Sequence, residues 1–411
     1  MLLVIRNAHV LDVEAGAITG PRTVVAESGL LVDVDAGDAT PRGAEREEID
    51  ARGAFLLPGL IDAHVHLCIT TMDFARLARQ SETERALAMA RVASQTLSRG
   101  FTTVRDTGGD VRGLIAALER GLCEGPRIVH AGRVLSQTGG HGDLRAGRID
   151  EAGCACQVHS DWFSHVCDGA DAVTRAARVE LRAGSDFLKL MASGGVASPS
   201  DPLDAVQYTP AEIRAAATEA AHRHTYVTAH AYTPEAIAPA IENGVSCIEH
   251  GNMLDDATAR LMAEVGALLV PTLVTYRAMR ELGEKLGLPA RNLEKNRGVF
   301  EAGLRSIEVA RRNGVELGLG TDLLGEAQSQ QADELAIRAE LEPAADVLRA
   351  MYRTNARLCG LEDEIGVVKP GAHADLVLCD VDPLEDLPRL ANSARVLSHV
   401  IQAGRVVRRR A

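Results

Sequence analysis

The middle of the chain alternates short apolar segments with longer amphipathic ones, and this alternation constrains the fold more than any other feature. The amphipathic segment 211–224 follows Pro210, and the segment 234–243 begins with Pro234. Proline is favoured in the first turn of a helix. The apolar segments predict about eight strands, at 60–66, 102–106, 127–131, 187–191, 227–230, 247–250, 268–272 and 316–320. Eight strands that alternate with helices predict an α/β fold, the (β/α)₈ TIM barrel.

Both ends of the chain are rich in short strand patterns instead. The N-terminal patterns are 2–5, 9–12, 22–26 and 30–34, and the C-terminal ones are 374–380 and 396–407, with Gly404 at a hairpin turn. We expect the two ends to pair into a small β-sandwich domain. The predicted division is therefore β-sandwich at 1–56, barrel at 57–362 and β-sandwich again at 363–411.

Charge and apolar patterning exclude several functional classes. The chain has 44 basic and 57 acidic residues, a net charge of −13, which disfavours binding to a nucleic acid. The sequence contains neither a signal peptide pattern nor an apolar run long enough to span a membrane. The closely spaced Cys154, Cys156 and Cys167 lack the spacing of a zinc knuckle and are interpreted as reduced thiols. We expect a cytoplasmic protein that forms a homo-oligomer.

His64 and His66 end the first barrel strand, after the segment Pro58–Gly59–Leu60–Ile61–Asp62–Ala63. Residues two apart on a strand point to the same face, so both imidazoles can point into the barrel. Two buried imidazoles side by side are costly without a partner. The pair is therefore predicted to bind a metal ion.

Lys189 lies within the apolar strand 187–191. A buried, unpaired ammonium is costly, and an ion pair with a neighbouring carboxylate is one explanation. The alternative is that Lys189 loses its proton and reacts with carbon dioxide. The resulting carbamate has two anionic oxygens and can bridge two cations about 3.5–4 Å apart.

Three further residues follow predicted strands, at the end of a barrel where active sites lie. His230 and His250 close successive strands, and Asp322 follows the last strand. A carboxylate there can bind a metal ion and accept a proton from water, and a helix N-cap is the alternative. The six residues together favour two divalent metal ions, and the mixture of imidazole and oxygen ligands suits Zn²⁺. Such a pair generates hydroxide near neutral pH.

With these residues in this order, the chain resembles the amidohydrolase superfamily over nearly its whole length. Segment 364–376 resembles the return from barrel to β-sandwich in that family. Segments 104–109, 139–143 and 191–196 resemble the imidazolonepropionase-related subgroup, which includes Xaa-Pro dipeptidases and metallo-carboxypeptidases. True imidazolonepropionases and the deaminases of this fold use one metal and lack a bridging lysine, so Lys189 argues against both.

The resemblance implies a role for each site residue. His64, His66 and Asp322 would hold the more buried metal, His230 and His250 the more exposed one, and carboxylated Lys189 would bridge them. Asp322 would be the general base and acid. His141 and Tyr232 would bind the scissile carbonyl, although Tyr232 on the surface is an equally good reading of the sequence alone. Ser193 and Gly194 would let the substrate backbone approach, unless they form an ordinary turn.

The long stretch 132–171 has no clear periodicity and is predicted to lie over the active site. Within it, Arg145 is a candidate partner for a substrate carboxylate, from its nearness in sequence to His141.

The predicted function is hydrolysis of an amide bond to an amino-acid leaving group by a metal-bridging hydroxide, with a dipeptide as substrate. The alternatives are N-acyl amino acids, amide-linked toxins such as ochratoxin, and other amides, lactones or esters. A metal-free scaffold is disfavoured by the complete ligand set.

Overall fold

A computed structural model describes residues 2–35, 46–144, 162–198 and 201–410 of the chain. Its strands are β1 (Leu2–Asp12), β2 (Ala17–Glu27), β3 (Leu30–Asp33), β4 (Arg46–Asp50), β5 (Phe55–Pro58), β6 (Leu60–Val65), β7 (Phe101–Asp106), β8 (Arg127–His130), β9 (Val134–Ser136), β10 (Ser164–Val166), β11 (Leu188–Met191), β12 (Val227–Ala231), β13 (Cys247–His250), β14 (Leu268–Val270), β15 (Leu376–Cys379), β16 (Leu397–Gln402) and β17 (Arg405–Arg409).

Helices fill most of the intervals between the barrel strands. They are α1 (Phe74–Arg79), α2 (Glu82–Ser98), α3 (Arg112–Glu119), α4 (Ala170–Arg182), α5 (Pro210–His222), α6 (Pro234–Glu242), α7 (Asp256–Val265), α8 (Leu273–Leu282), α9 (Ala290–Lys295), α10 (Val299–Arg312), α11 (Asp333–Ala339), α12 (Ala344–Arg349), α13 (Asn355–Leu358), α14 (Leu387–Leu390) and α15 (Ser393–Val396). A 3₁₀ helix (Gly325–Gln330) and a π-helical turn (Ala350–Thr354) complete them. None of the described helices is long and apolar enough to cross a membrane.

The parallel strands close into the predicted barrel. Strands β6, β7 and β8 pair in that order, and β9, β11, β12, β13 and β14 continue the circle. The third predicted strand, 127–131, is β8, and β9 is a further strand that the sequence did not predict. The eighth, 316–320, is not a regular strand but still pairs on both sides. Leu317 bridges to Leu269 of β14, and the Ala63 amide of β6 donates to the Leu319 carbonyl at 2.9 Å.

Both ends of the chain form one further sheet, in the order β17–β16–β15–β5–β1–β2–β3, with β4 beside β1. The predicted strands 2–5 and 9–12 are one strand, β1, whose register shifts between Ile5 and Ala8. The sheet has an apolar core of its own, separate from that of the barrel and including Leu3, Leu56 and Ile401. The barrel with a small terminal β domain is thus confirmed, and the division at residues 56 and 362 stays a prediction.

Two helices begin at the prolines that the sequence indicated, Pro210 and Pro234. Thr209 caps α5 with a reciprocal bond to Glu212, and Pro210 is the first residue of that helix. Helix α6 begins at Pro234 and ends at the C-cap Asn243, followed by Gly244 at φ 98°. These caps set where each helix starts after its strand, and therefore which residues lie at the mouth of the barrel.

Candidate metal centre

All six predicted ligands lie around one cavity at the carboxyl ends of the barrel strands. His64 and His66 come from β6 and the residue after it, and the others from β11, β12, β13 and the turn after 316–320. The imidazole centroids of His64 and His250 are 5.0 Å apart, and those of His230 and His250 are 4.6 Å apart. Much of the remaining wall is apolar and includes Phe74, Phe163 and Leu324.

Each histidine has one ring nitrogen held by a neighbouring group. These contacts are His64 Nδ1 with Glu249 Oε2 at 2.7 Å, His66 Nδ1 with the Gly108 carbonyl at 2.9 Å, His230 Nε2 with the Gly194 carbonyl at 3.0 Å and His250 Nδ1 with Thr272 Oγ1 at 2.7 Å. Because a carboxylate or carbonyl only accepts, the held nitrogen of the first three rings carries the proton. The other nitrogen keeps its lone pair, which is the arrangement of metal-binding histidines.

Burial favours the neutral form of these rings. It lowers the pKa of His64 to about 4 and the pKa values of His66, His230 and His250 well below their ordinary value. Neutral imidazole is the form that binds a metal ion.

Lys189 is 1% exposed, and burial lowers its pKa to about 8. Among the described residues, its side-chain nitrogen has no hydrogen bond and no direct ion pair, although the charges of Glu249 and Asp322 oppose the effect of burial on its pKa. Burial also raises the pKa of Asp322, whose Oδ1 lies 3.5 Å from His64 Nε2 and 3.4 Å from His66 Nε2. These distances are too long for good hydrogen bonds and leave a shared space between the three groups.

Two of the predicted ligands have strained backbones. His250 has φ 73° and Asp322 has φ 50°, in the left-handed region that residues with a side chain rarely adopt. Such conformations collect at functional sites, where the surrounding structure maintains them.

The donor set fits a metal ion. The ligand atoms of His64, His250 and Asp322 all lie within 4.8 Å of one another, the one such group of His, Cys, Asp and Glu side chains among the described residues. This group takes one histidine from each of the two sets that the resemblance assigns to separate metals. The assignment of each ligand to its metal, like the ligand roles themselves, therefore stays a prediction.

Sequence reasoning missed two acidic residues behind the ligands. Glu249 is fully buried and binds both His64 and, at 2.5 Å, the buried guanidinium of Arg105. Asp62 accepts from the His64 amide at 3.0 Å and from the Thr321 amide at 3.1 Å, so it ties the first strand to the turn that carries Asp322. The only signal in the sequence was their position beside a predicted ligand.

Of the three side chains His141, Tyr232 and Arg145, which were predicted to bind substrate, the structure describes the first two. His141 lines the cavity and its ring stacks on His230, with centroids 4.1 Å apart. Tyr232 is 3% exposed, so it is not a surface residue, and its hydroxyl accepts from Tyr276 at 3.0 Å. Arg145 lies outside the described residues, as do Cys154 and Cys156, and its role stays a prediction.

The Ser193–Gly194 turn has structural partners of its own. The Ser193 hydroxyl donates to the Gly194 carbonyl at 2.8 Å and accepts from the Tyr232 amide at 3.2 Å. A Cβ on Gly194 would lie 1.7 Å from the Pro202 carbonyl oxygen, so close loop packing already requires glycine there. Contact of either residue with substrate stays a prediction.

The chain is similar to known proteins over nearly its whole length. The profile of the amidohydrolase family matches residues 55–407. A crystal structure of an amidohydrolase is 43% identical with a TM-score of 0.94, and a prolidase solved with N-methylphosphonate-L-proline is 40% identical with a TM-score of 0.95; both comparisons cover 100% of each chain. Ochratoxinase of Aspergillus niger is 29% identical over 367 residues, 85% of this chain and 75% of the relative.

Proposed function

Because this chain belongs to the amidohydrolase family and is a hydrolase of amide bonds, we propose that it cleaves the bond between an acyl group and an amino-acid leaving group, using two divalent metal ions. The observation that carries the proposal is the buried set of four histidines, Lys189 and Asp322 around one cavity, with one nitrogen of each ring held from behind.

We assign the metal ions, as Zn²⁺, to His64, His66, Lys189, His230, His250 and Asp322. Lys189 would hold both ions as a carbamate, which the burial of its unpaired nitrogen supports. Bound there, such ions lower the pKa of water and polarise the carbonyl of the substrate.

The side chains of this chain supply the proton transfers and the orientation. Asp322 accepts a proton from the attacking water and returns it to the departing nitrogen, since its carboxylate lies in the cavity wall beside His64 and His66. His141 and Tyr232 stabilise the oxygen that gains negative charge, His141 from the cavity wall and Tyr232 from beside His230 and His250. Apolar walls limit the access of bulk water.

The prolidase relative, with its proline-containing ligand, supports an amino-acid leaving group with a free carboxylate. The test compares kcat/KM for Xaa-Pro dipeptides with kcat/KM for the same compounds as C-terminal carboxamides. We expect the carboxamides to be much poorer substrates. Equal kcat/KM for the two series, or turnover of lactones and esters alone, would contradict the proposal.

A second candidate follows from the similarity to ochratoxinase, which favours N-acyl amino acids such as ochratoxin. Assaying ochratoxin A and N-acyl amino acids beside the dipeptides separates the two candidates, since both place an amide before an amino acid but only the dipeptide has a free amine. A homo-oligomer in the cytoplasm stays a prediction from the sequence, and light scattering on the purified protein tests the oligomeric state.

A further inference from the structure

His141 is held in the cavity wall by contacts on three sides. Its ring stacks on His230, its amide donates to Gln207 Oε1 at 2.9 Å, and a Cβ on Gly195 would lie 2.1 Å from the ring. The ring nitrogen Nδ1 is buried and, within the described residues, has no hydrogen-bond partner. The group facing it is the carboxylate of Asp201, with Oδ2 at 3.7 Å.

Asp201 is buried and joins this ring to the loop that follows β11. Its Oδ2 also accepts from the Gly195 amide and from Gln207 Nε2, each at 3.1 Å, and its Oδ1 accepts from the Ser198 hydroxyl. Lys295 Nζ lies 3.8 Å from Oδ1. One carboxylate therefore contacts the ring of His141, the glycine beneath the ring and the glutamine that holds its backbone.

We propose that Asp201 is a positioning residue for His141, which it holds against His230 with Nδ1 directed away from the cavity. The other ring nitrogen, Nε2, is then left for the carbonyl oxygen of the substrate. A carboxylate behind an imidazole fixes the orientation of the ring, and a ring that is already held in place needs no rearrangement when the oxyanion develops. The inference rests on the function proposed for His141.

Asp201 also helps to hold the 193–198 loop, so a structural role must be separated from a role that acts through His141. A double-mutant cycle makes this separation, because two residues that act as a unit are not additive. The change Asp201→Asn keeps the shape of the side chain and removes its charge. It is measured in the wild-type chain and in the His141→Ala chain, both loaded with Zn²⁺.

We expect Asp201→Asn to lower kcat about 10–100-fold with little change in KM, the range for groups that orient an active-site histidine. In the His141→Ala chain the same change should lower kcat less than about 2-fold further, a difference within the usual limit of additivity errors. Metal content, measured by elemental analysis, should equal that of the wild type in every variant.

The matched control is Asn292→Ala. Asn292 donates to the carbonyls of Val196 and Ser198, so it holds the same loop without contacting His141. Its effect on kcat, whatever the size, should be the same in the two backgrounds. If Asp201→Asn does not fold, Asp201→Glu replaces it in the cycle, with loss of kcat expected only where His141 is present.

Binding of N-methylphosphonate-L-proline, measured by calorimetry, gives a second readout because its phosphonate oxygens imitate the tetrahedral oxyanion. Asp201→Asn should weaken this compound and leave the binding of L-proline unchanged. Equal kcat in Asp201→Asn and wild type, or additive losses in the cycle, would overturn the inference alone. Wild-type kcat in His141→Ala would overturn the role proposed for His141 and this inference with it.

Discussion

Replacing Glu249 by glutamine tests how the barrel core supports the metal centre. Glu249 Oε1 binds Arg105 at 2.5 Å and Oε2 binds His64 at 2.7 Å, and all three side chains are at most 1% exposed. Glutamine has nearly the same shape but no charge, and its amide group cannot accept from both neighbours. We expect Glu249→Gln to weaken both the fold and metal binding.

The expected loss of unfolding free energy depends on the contacts that Arg105 keeps when Glu249 is replaced. Its guanidinium still donates to the Ala63 carbonyl at 2.6 Å and to the Tyr226 hydroxyl at 3.1 Å, and it lies 5.2 Å from the centre of the Phe187 ring. Removing one partner of a buried ion pair costs about 3–5 kcal/mol of unfolding free energy. Because glutamine keeps one acceptor for Arg105, we expect a loss near the lower end, about 3 kcal/mol.

Metal affinity should fall as well, because His64 loses the acceptor that fixes its ring. Loss of such a contact lowers metal affinity about 10–100-fold. The assays are urea unfolding of the metal-free chain and competition for Zn²⁺ with a chelator. The control is Glu342→Gln, which breaks a second buried pair, Arg338–Glu342, whose side chains do not line the cavity of the candidate metal site.

The control should lose stability and keep metal affinity. A loss of less than about 1 kcal/mol in Glu249→Gln would show that Arg105 does not need the negative charge of Glu249, contrary to our reasoning. Equal metal affinity in the two variants would show that Glu249 does not orient His64.

The pH dependence of stability has a definite sign. Burial alone would raise the pKa of Glu249, but Arg105, His64 and Lys189 together hold it well below its ordinary 4.5. Because its pKa is lowered in the folded state, the Glu249 carboxylate makes its full contribution to the unfolding free energy above pH 4.5. That contribution is lost as the pH falls further. The unfolding free energy of Glu249→Gln should therefore fall less steeply than that of the wild type below this pH.

Three further substitutions test the cavity itself. Lys189→Ala should abolish most activity, and a short carboxylic acid should restore part of it by replacing the carbamate; near-normal kcat and metal content would contradict the bridge. Gly195→Ala should lower kcat on the order of 10–100-fold at unchanged metal content, because the new Cβ would lie 2.1 Å from the His141 ring. Tyr276→Phe should lower kcat about 10-fold by removing the donor that orients the Tyr232 hydroxyl, and steady-state kinetics that match the wild type would exclude this role.

Sequence alone predicted which six residues would lie around one cavity because they belong to or follow strands, and strands have a period that sequence reveals. Lys189 was noticeable as a charge within an apolar strand, and His64 and His66 as a pair on one face. The partners of these residues were not predictable in the same way. Glu249 meets His64 across 185 residues of sequence, and that contact depends on how the strands are arranged around the barrel.

The eighth barrel strand shows a second limit. Segment 316–320 was predicted as a strand from its apolar residues, but Gly318 and Gly320 let it lie unusually near its neighbours. A Cβ on Gly320 would lie 2.6 Å from the Cβ of His64, and one on Gly318 would lie 2.9 Å from Asn355 Oδ1. Glycines that serve close packing look the same in sequence as glycines of a turn, so the irregular pairing could not be foreseen.

The number of metal ions per chain tests the central claim most directly. The protein is freed of metal, reconstituted with Zn²⁺ and bicarbonate, and analysed for metal content and by anomalous diffraction. We expect two ions per chain among His64, His66, His230, His250 and Asp322, with density for a carbamate on Lys189 between them. A single ion after full reconstitution, with Lys189 unmodified and directed away from it, would contradict the account.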